Sequence, residues 1–149
     1  EFIRADLRKV SKKELLETFD KFLLAVDFRI EHLKYATKDN SYNWDFSLKS
    51  FDSLENFILK KNIDENHELF DDVASYIGEV VRRNYGGKWE CCLDMRGNSM
   101  LYGMPVISGF NKYGVLLSPY EELGLFIFRK KKGMIANNIE MIINPQSFY

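Results

Sequence analysis

Cysteine is almost missing from this chain: there are two, Cys91 and Cys92, side by side. A secreted disulfide framework spaces its cysteines to close loops, so the adjacent pair points to a reducing compartment and a cytoplasmic location. Histidine is as scarce, with His32 and His67 alone. Zinc sites built from Cys and His need separated ligand pairs, and neighbouring strand residues face opposite ways. Cys91 and Cys92 therefore cannot chelate together, and no metal or other cofactor is expected. Proline occurs three times, all late, at Pro105, Pro119 and Pro145, which leaves the first half free to be helical. Neither sign of charge dominates: 21 Lys and Arg stand against 22 Asp and Glu, a net charge of -1. A nucleic-acid-binding domain is normally strongly basic, so nucleic acid is not the expected direct partner. No run approaches about 18 uninterrupted apolar residues, so neither a membrane span nor a membrane partner is expected. Residues Phe2 to Val10 carry three basic residues and one acid, without the apolar stretch of a signal peptide.

What is present is apolar and aromatic. Hydrophobic residues make up 46% and aromatics 15% of 149 residues, enough to offset chain entropy, so disorder is excluded. The length fits one domain on the usual range of about 100–200 residues. The expectation is a single α+β domain over 1–149, with 1–10 and 144–149 as its frayed ends.

Residues 11–35 read as one long amphipathic helix. Leu15, Phe19, Phe22, Val26, Ile30 and Leu33 step by three and four, and Ser11 with Glu14 forms a capping box. A turn-rich loop over 39–43 follows, then a shorter helix over 51–61 with Leu54, Phe57 and Ile58 inward. Trp44 and Phe46 are expected at the core edge. A third helix is expected over 65–85, with Asp64 as N-cap, a stripe of Leu69, Val73, Tyr76, Ile77, Val80 and Val81, and Gly86 as its left-handed stop. Gly78 falls inside it, where glycine costs about 1 kcal/mol against alanine. Close approach of another backbone is the expected compensation.

The period then changes from helical to alternating. Trp89, Cys91 and Leu93 alternate with Lys88, Glu90, Cys92 and Asp94, as in a half-buried strand. Cys91 is expected inside and Cys92 partly exposed. A turn at Arg96-Gly97-Asn98, a return strand over 100–107 with Pro105 at an edge or bulge, and a short strand over 115–117 complete an antiparallel sheet. Ser118-Pro119-Tyr120-Glu121 combines an N-cap, a first-turn proline and a capping-box glutamate. The helix it starts is expected to run to Lys132 and stop at Gly133. Residues 134–149 are left open between a short helix and a tail. Helices, then a small sheet, then a helix is α+β segregation.

Catalytic signatures are not found. There is no Gly-x-Ser-x-Gly elbow, no phosphate-cradling Gly-x-x-x-x-Gly-Lys-Ser/Thr loop and no Gly-x-Gly-x-x-Gly fingerprint. His67 and Asp71 stand one helical turn apart and could hold a metal, though a solvated helix surface explains them as well. Glu121 and Glu122 are explained by capping, and Glu79 can pair with Arg83 at i,i+4. The charge distribution says more. Six acids (Asp64, Glu65, Glu68, Asp71, Asp72, Glu79) fall between Asn62 and Val81 with no Lys or Arg, while bases gather at 8–13 and 129–132. An acidic face steers a basic protein partner, and it also serves solubility.

The strings Tyr76-Ile77-Gly78-Glu79 and Gly86-Gly87-Lys88-Trp89 resemble a helix-to-strand signature of small bacterial domains. Over 71–107 the chain is similar to immunity proteins of bacterial toxin systems, including contact-dependent growth inhibition. The resemblance implies no catalysis, but one rigid surface complementary to one toxin. Toxins that cleave nucleic acid have basic active sites, which an acidic face can occupy. Asp64, Glu68, Asp71, Asp72 and Glu79 are the candidate partner-binding residues. Tyr76 or Tyr85 are candidate anchors, with core packing as the competing explanation. The expectation is a non-enzymatic protein-binding module. The alternative is a small enzyme or ligand-binding domain with a pocket near Glu79, Arg83 and Trp89. A third reading, an accessory domain of a larger assembly, would show an exposed apolar patch on the helix that starts at Pro119.

Overall fold

The structure, a computed structural model, describes residues 6–94 and 99–145. Its elements are α1 (Lys12–Leu24), α2 (Val26–Ala36), α3 (Ser50–Lys60), α4 (Phe70–Tyr85), β1 (Lys88–Cys91), β2 (Pro105–Ser108), α5 (Pro119–Arg129) and α6 (Met134–Ile143). This is the α+β arrangement read from the sequence, with more helix and less sheet than expected. The turn expected at Arg96-Gly97-Asn98 lies outside the described residues. Leu7 and Val10 pack against the core, beside a short 3-10 turn at Leu7–Lys9.

The single helix expected over 11–35 is two. Ser11 Oγ accepts the Glu14 N–H at 3.2 Å and caps α1 as foreseen. The ladder breaks at Ala25, whose N–H turns back to the Phe22 and Leu23 carbonyls. Arg29 steadies the break: its guanidinium donates to the Phe22 carbonyl at 3.0 Å and lies 4.7 Å over the Phe22 ring. Leu15, Phe19 and Phe22 of α1 and Val26, Ile30 and Leu33 of α2 are all buried, so the expected apolar face survives the kink.

Helix α3 buries Leu54, Phe57 and Ile58 as expected. Helix α4 begins at Phe70, five residues later than expected, and every residue from Asp72 to Val81 is buried. It is the central helix, packed by α2, α5 and β2. What fills the space over Gly78 is a side chain, the Trp89 indole, and not the backbone expected there; an added Cβ would fall inside that ring. Gly86 ends α4 with positive φ (86°) but extended ψ (-164°).

Strands β1 and β2 form a two-stranded antiparallel sheet with Trp89 opposite Ile107 and Cys91 opposite Pro105. Trp89 and Cys91 face in while Lys88 and Glu90 face out, as the alternation foretold. The strand expected over 115–117 is reduced to one bridge, Leu117 to Ile107. Cys92 is buried, at 3% exposure, where partial exposure was expected. The chain has left the strand by then, and the Cys92 backbone pairs with Met104 and Gly103.

Ser118 Oγ caps α5 through the Glu121 N–H at 3.1 Å. The helix ends at Arg129, with Lys130 in the left-handed conformation (φ 52°), earlier than expected. Gly133 does not stop α5 but starts α6, at φ 89°. The buried Glu55 of α3 reaches across to cap that start, accepting from the Gly133 N–H at 2.7 Å and the Ile135 N–H at 3.2 Å.

Candidate protein-binding surface

The five candidate acids do not form one face. Asp64 and Glu68 lie in the turn before α4, exposed, together with Glu65. Asp64 caps no helix; its Oδ1 accepts the Asn66 N–H at 2.9 Å, a local turn. His67 is not on a helix either, and its Nδ1 accepts the Leu69 N–H at 3.0 Å. The His67 and Asp71 pairing considered for a metal is thereby undone. Among the described residues no three His, Cys, Asp or Glu converge as a metal site.

Asp71 and Asp72 open α4 and turn inward. The Tyr120 hydroxyl donates to Asp71 Oδ1 at 2.6 Å, and burial with that carboxylate holds the Tyr120 hydroxyl far above its usual range. Asp72 is 5% exposed, with Oδ2 2.6 Å from Nδ1 of His32 on α2. Burial pushes the Asp72 carboxyl up, against the opposing pull of His32.

Glu79 is 2% exposed and belongs to the core. Arg82 grips both its oxygens at 2.8 Å, and the Trp89 indole N–H donates to Oε2 at 2.9 Å. The i,i+4 partner expected, Arg83, stands further off at 3.6 Å. Burial alone would raise the Glu79 carboxyl; Arg82 and Trp89 outweigh it and hold it below its ordinary value. At the place where the alternative reading put a pocket, near Glu79, Arg83 and Trp89, the Trp89 ring packs on Gly78.

Asp72 therefore ties α4 to α2 and Glu79 ties α4 to β1, and neither is a surface charge. The surface that remains is Asp64, Glu65 and Glu68, with Asp71 at its inner edge. Among the described residues no cation forms an ion pair with these four. The separation of signs along the chain is not kept in space, since Asp64 and Lys130 line one shallow cleft between α3 and α5.

Both tyrosines named as anchors are hydrogen-bonded within the fold, Tyr76 in the core and Tyr85 half-buried. Tyr76 is fully buried, hydrogen-bonded to the Ser50 hydroxyl at 2.7 Å and the Phe46 N–H at 3.0 Å. The Tyr85 hydroxyl donates to Glu140 at 3.0 Å, and burial beside that carboxylate lifts it to about 12. The exposed apolar residues lie elsewhere. Leu24, Phe28 and Tyr35 are 86%, 72% and 67% exposed along the outer side of the α1–α2 pair. Phe28 stacks on His32 with 4° between the rings, which ties it through Asp72 to the first turn of α4. Positions 24, 28 and 35 repeat at helical spacing, a signal present in the sequence but masked by the stronger inner stripe. Both cysteines are buried, and burial pushes the Cys91 thiol up to about 11 and raises Cys92 too, which disfavours thiolate chemistry.

A groove of about 730 Å³ runs along α5, lined among others by Leu7, Leu101, Met104, Gly124, Leu125 and Phe128. None of the six acids between Asn62 and Val81 lines it. No helix among the described residues is long and apolar enough to cross a membrane. Comparison with known proteins brings no match: no family model, curated protein or solved structure is significantly similar to the chain.

Proposed function

We propose that the chain is a non-catalytic, cytoplasmic protein-binding module, an immunity protein that neutralises a bacterial toxin with a basic active site. The observation that carries the reading is the turn before α4, where Asp64, Glu65 and Glu68 are exposed without an ion-pair partner among the described residues. Exposed carboxylates steer a basic partner by long-range attraction. The exposed Phe28, joined to α4 through His32 and Asp72, supplies a desolvating aromatic contact of the kind that dominates interface energy. The signature around Gly78 and Trp89 has a physical account that needs no catalysis. Ring on glycine and indole N–H on Glu79 fix α4 against β1, and a rigid frame lowers the entropy cost of binding.

The test is direct binding and growth rescue with the toxin-like product of the neighbouring gene. Rescue that is lost on Glu65→Lys with Glu68→Lys supports the reading. A neighbour that neither binds nor is neutralised refutes it.

A further inference from the structure

Among the described residues two helices carry an internal glycine, and the space over one of them is filled. The Trp89 ring lies on Gly78. Among the described residues nothing lies within 4 Å of where a Cβ on Gly124 would stand. Glycine at mid-helix weakens α5, and no described residue fills the gap over Gly124. Gly124 lines the groove along α5, and the same helix face carries Glu121, Leu125, Phe128 and Arg129 at spacings of three and four. Phe128 is 85% exposed and Met100, on the same groove, 93%. Side chains of that size standing in water mark a contact surface.

We propose that this face pairs with a second copy of the chain, α5 lying antiparallel on α5 across a two-fold axis at Leu125, beside Gly124. The charges select that occupant. Glu121 is exposed at the start of α5, and Arg129 and Lys130 are exposed at its end. An antiparallel crossing centred there sets Glu121 of each copy against Arg129 of the other, four residues either side of Leu125. A two-fold interface must be self-complementary in this way, and opposed helix dipoles add to the match. The missing side chain at Gly124 lets the two backbones come close, at the low end of the usual separation of about 8–10 Å between axes. Phe128 of each copy then enters the other's groove, against Leu101 and Met104. Methionine suits such a site because its unbranched chain adapts to the incoming ring. The proposal goes beyond toxin binding and does not need it: the groove and the turn bearing Glu65 and Glu68 share no residue.

The test is sedentation-equilibrium measurement of the full chain with symmetric cross-linking. Both native cysteines are buried, so Gly124→Cys adds the one exposed thiol among the described residues, and facing Cα atoms fall within disulfide reach of about 4–7 Å. The expected results are a dimer, a cross-linked band for Gly124→Cys but not for Lys112→Cys, and at least about tenfold weaker dimerisation for Phe128→Ser. Glu121→Arg or Arg129→Glu alone weakens the dimer, and the two together restore it. The Glu65→Lys and Glu68→Lys pair leaves it unchanged, so failure here and failure of toxin binding are told apart. A chain that stays monomeric to about 1 mM, or a dimer indifferent to Phe128 and to the charge exchange, overturns the proposal and leaves the groove to a different protein.

Discussion

The Trp89 indole packs against Gly78 and donates its N–H to Glu79 at 2.9 Å, so one side chain on β1 engages two adjacent residues of α4. A methyl group at position 78 would enter the ring. Gly78→Ala should therefore destabilise by about 1–3 kcal/mol in urea unfolding, although alanine is the better helix former. Gly124→Ala, with open space around it, should do the reverse and add about 0.5–1 kcal/mol to the dilute chain. Equal effects at the two glycines would contradict the packing described.

Glu79 is the acceptor on which Arg82 and Trp89 both depend. Glu79→Gln should lower stability by about 2–3 kcal/mol at pH 7, since the amide keeps one acceptor oxygen where Arg82 and Trp89 now use two, turns an NH2 donor toward a donor, and removes the charge facing the guanidinium. The folded carboxyl titrates below its ordinary value of 4.5, so its contribution is full above pH 4.5 and is lost as pH falls through the folded value. The gap between wild type and variant should narrow there. Thermal melts from pH 3 to 8 read both.

Glu122 behaves oppositely. It is 4% exposed on α5, its Oε2 has no hydrogen-bond partner among the described residues, and burial lifts it from 4.5 to about 7, with Glu121 adding and Asn138 opposing. A carboxyl that binds its proton more tightly when folded costs stability as pH rises from 4.5 to about 7, and no more above that. Glu122→Gln should flatten this slope, gaining about 3 kcal/mol at pH 8 and nothing at pH 4. Parallel pH profiles for the two proteins would rule it out.

The helix signals that were legible are those made by near neighbours. Ser11 with Glu14, and Ser118 with Pro119 and Glu121, form caps within one turn, and both stand where the pattern put them. The break at Ala25 was invisible because alanine favours helix and the residue that holds the break, Arg29, acts through the Phe22 carbonyl. The acidic residues failed as a set for a related reason. Asp72 and Glu79 lie inside only because His32, 40 residues away, and Trp89 come to meet them. One local hint did exist: Ala74, Ser75 and Gly78 are small residues on the side of α4 away from its apolar stripe, as a helix packed on several sides requires. Glu55, which caps α6 across the fold, left no trace in the pattern at all.

The exposed acids should matter for association and not for folding. Glu65→Lys with Glu68→Lys should change unfolding free energy by less than about 0.5 kcal/mol, because neither residue forms an ion pair among the described residues.

The same pair of substitutions gives the most direct measurement of the central claim, that this surface works by complementary charge. Stopped-flow association of the chain with its neighbour-encoded toxin should be fast at low salt, fall steeply as salt is added, and drop at least about tenfold on double charge reversal with little loss of salt-independent affinity. An association rate that ignores both salt and the two lysines would contradict it.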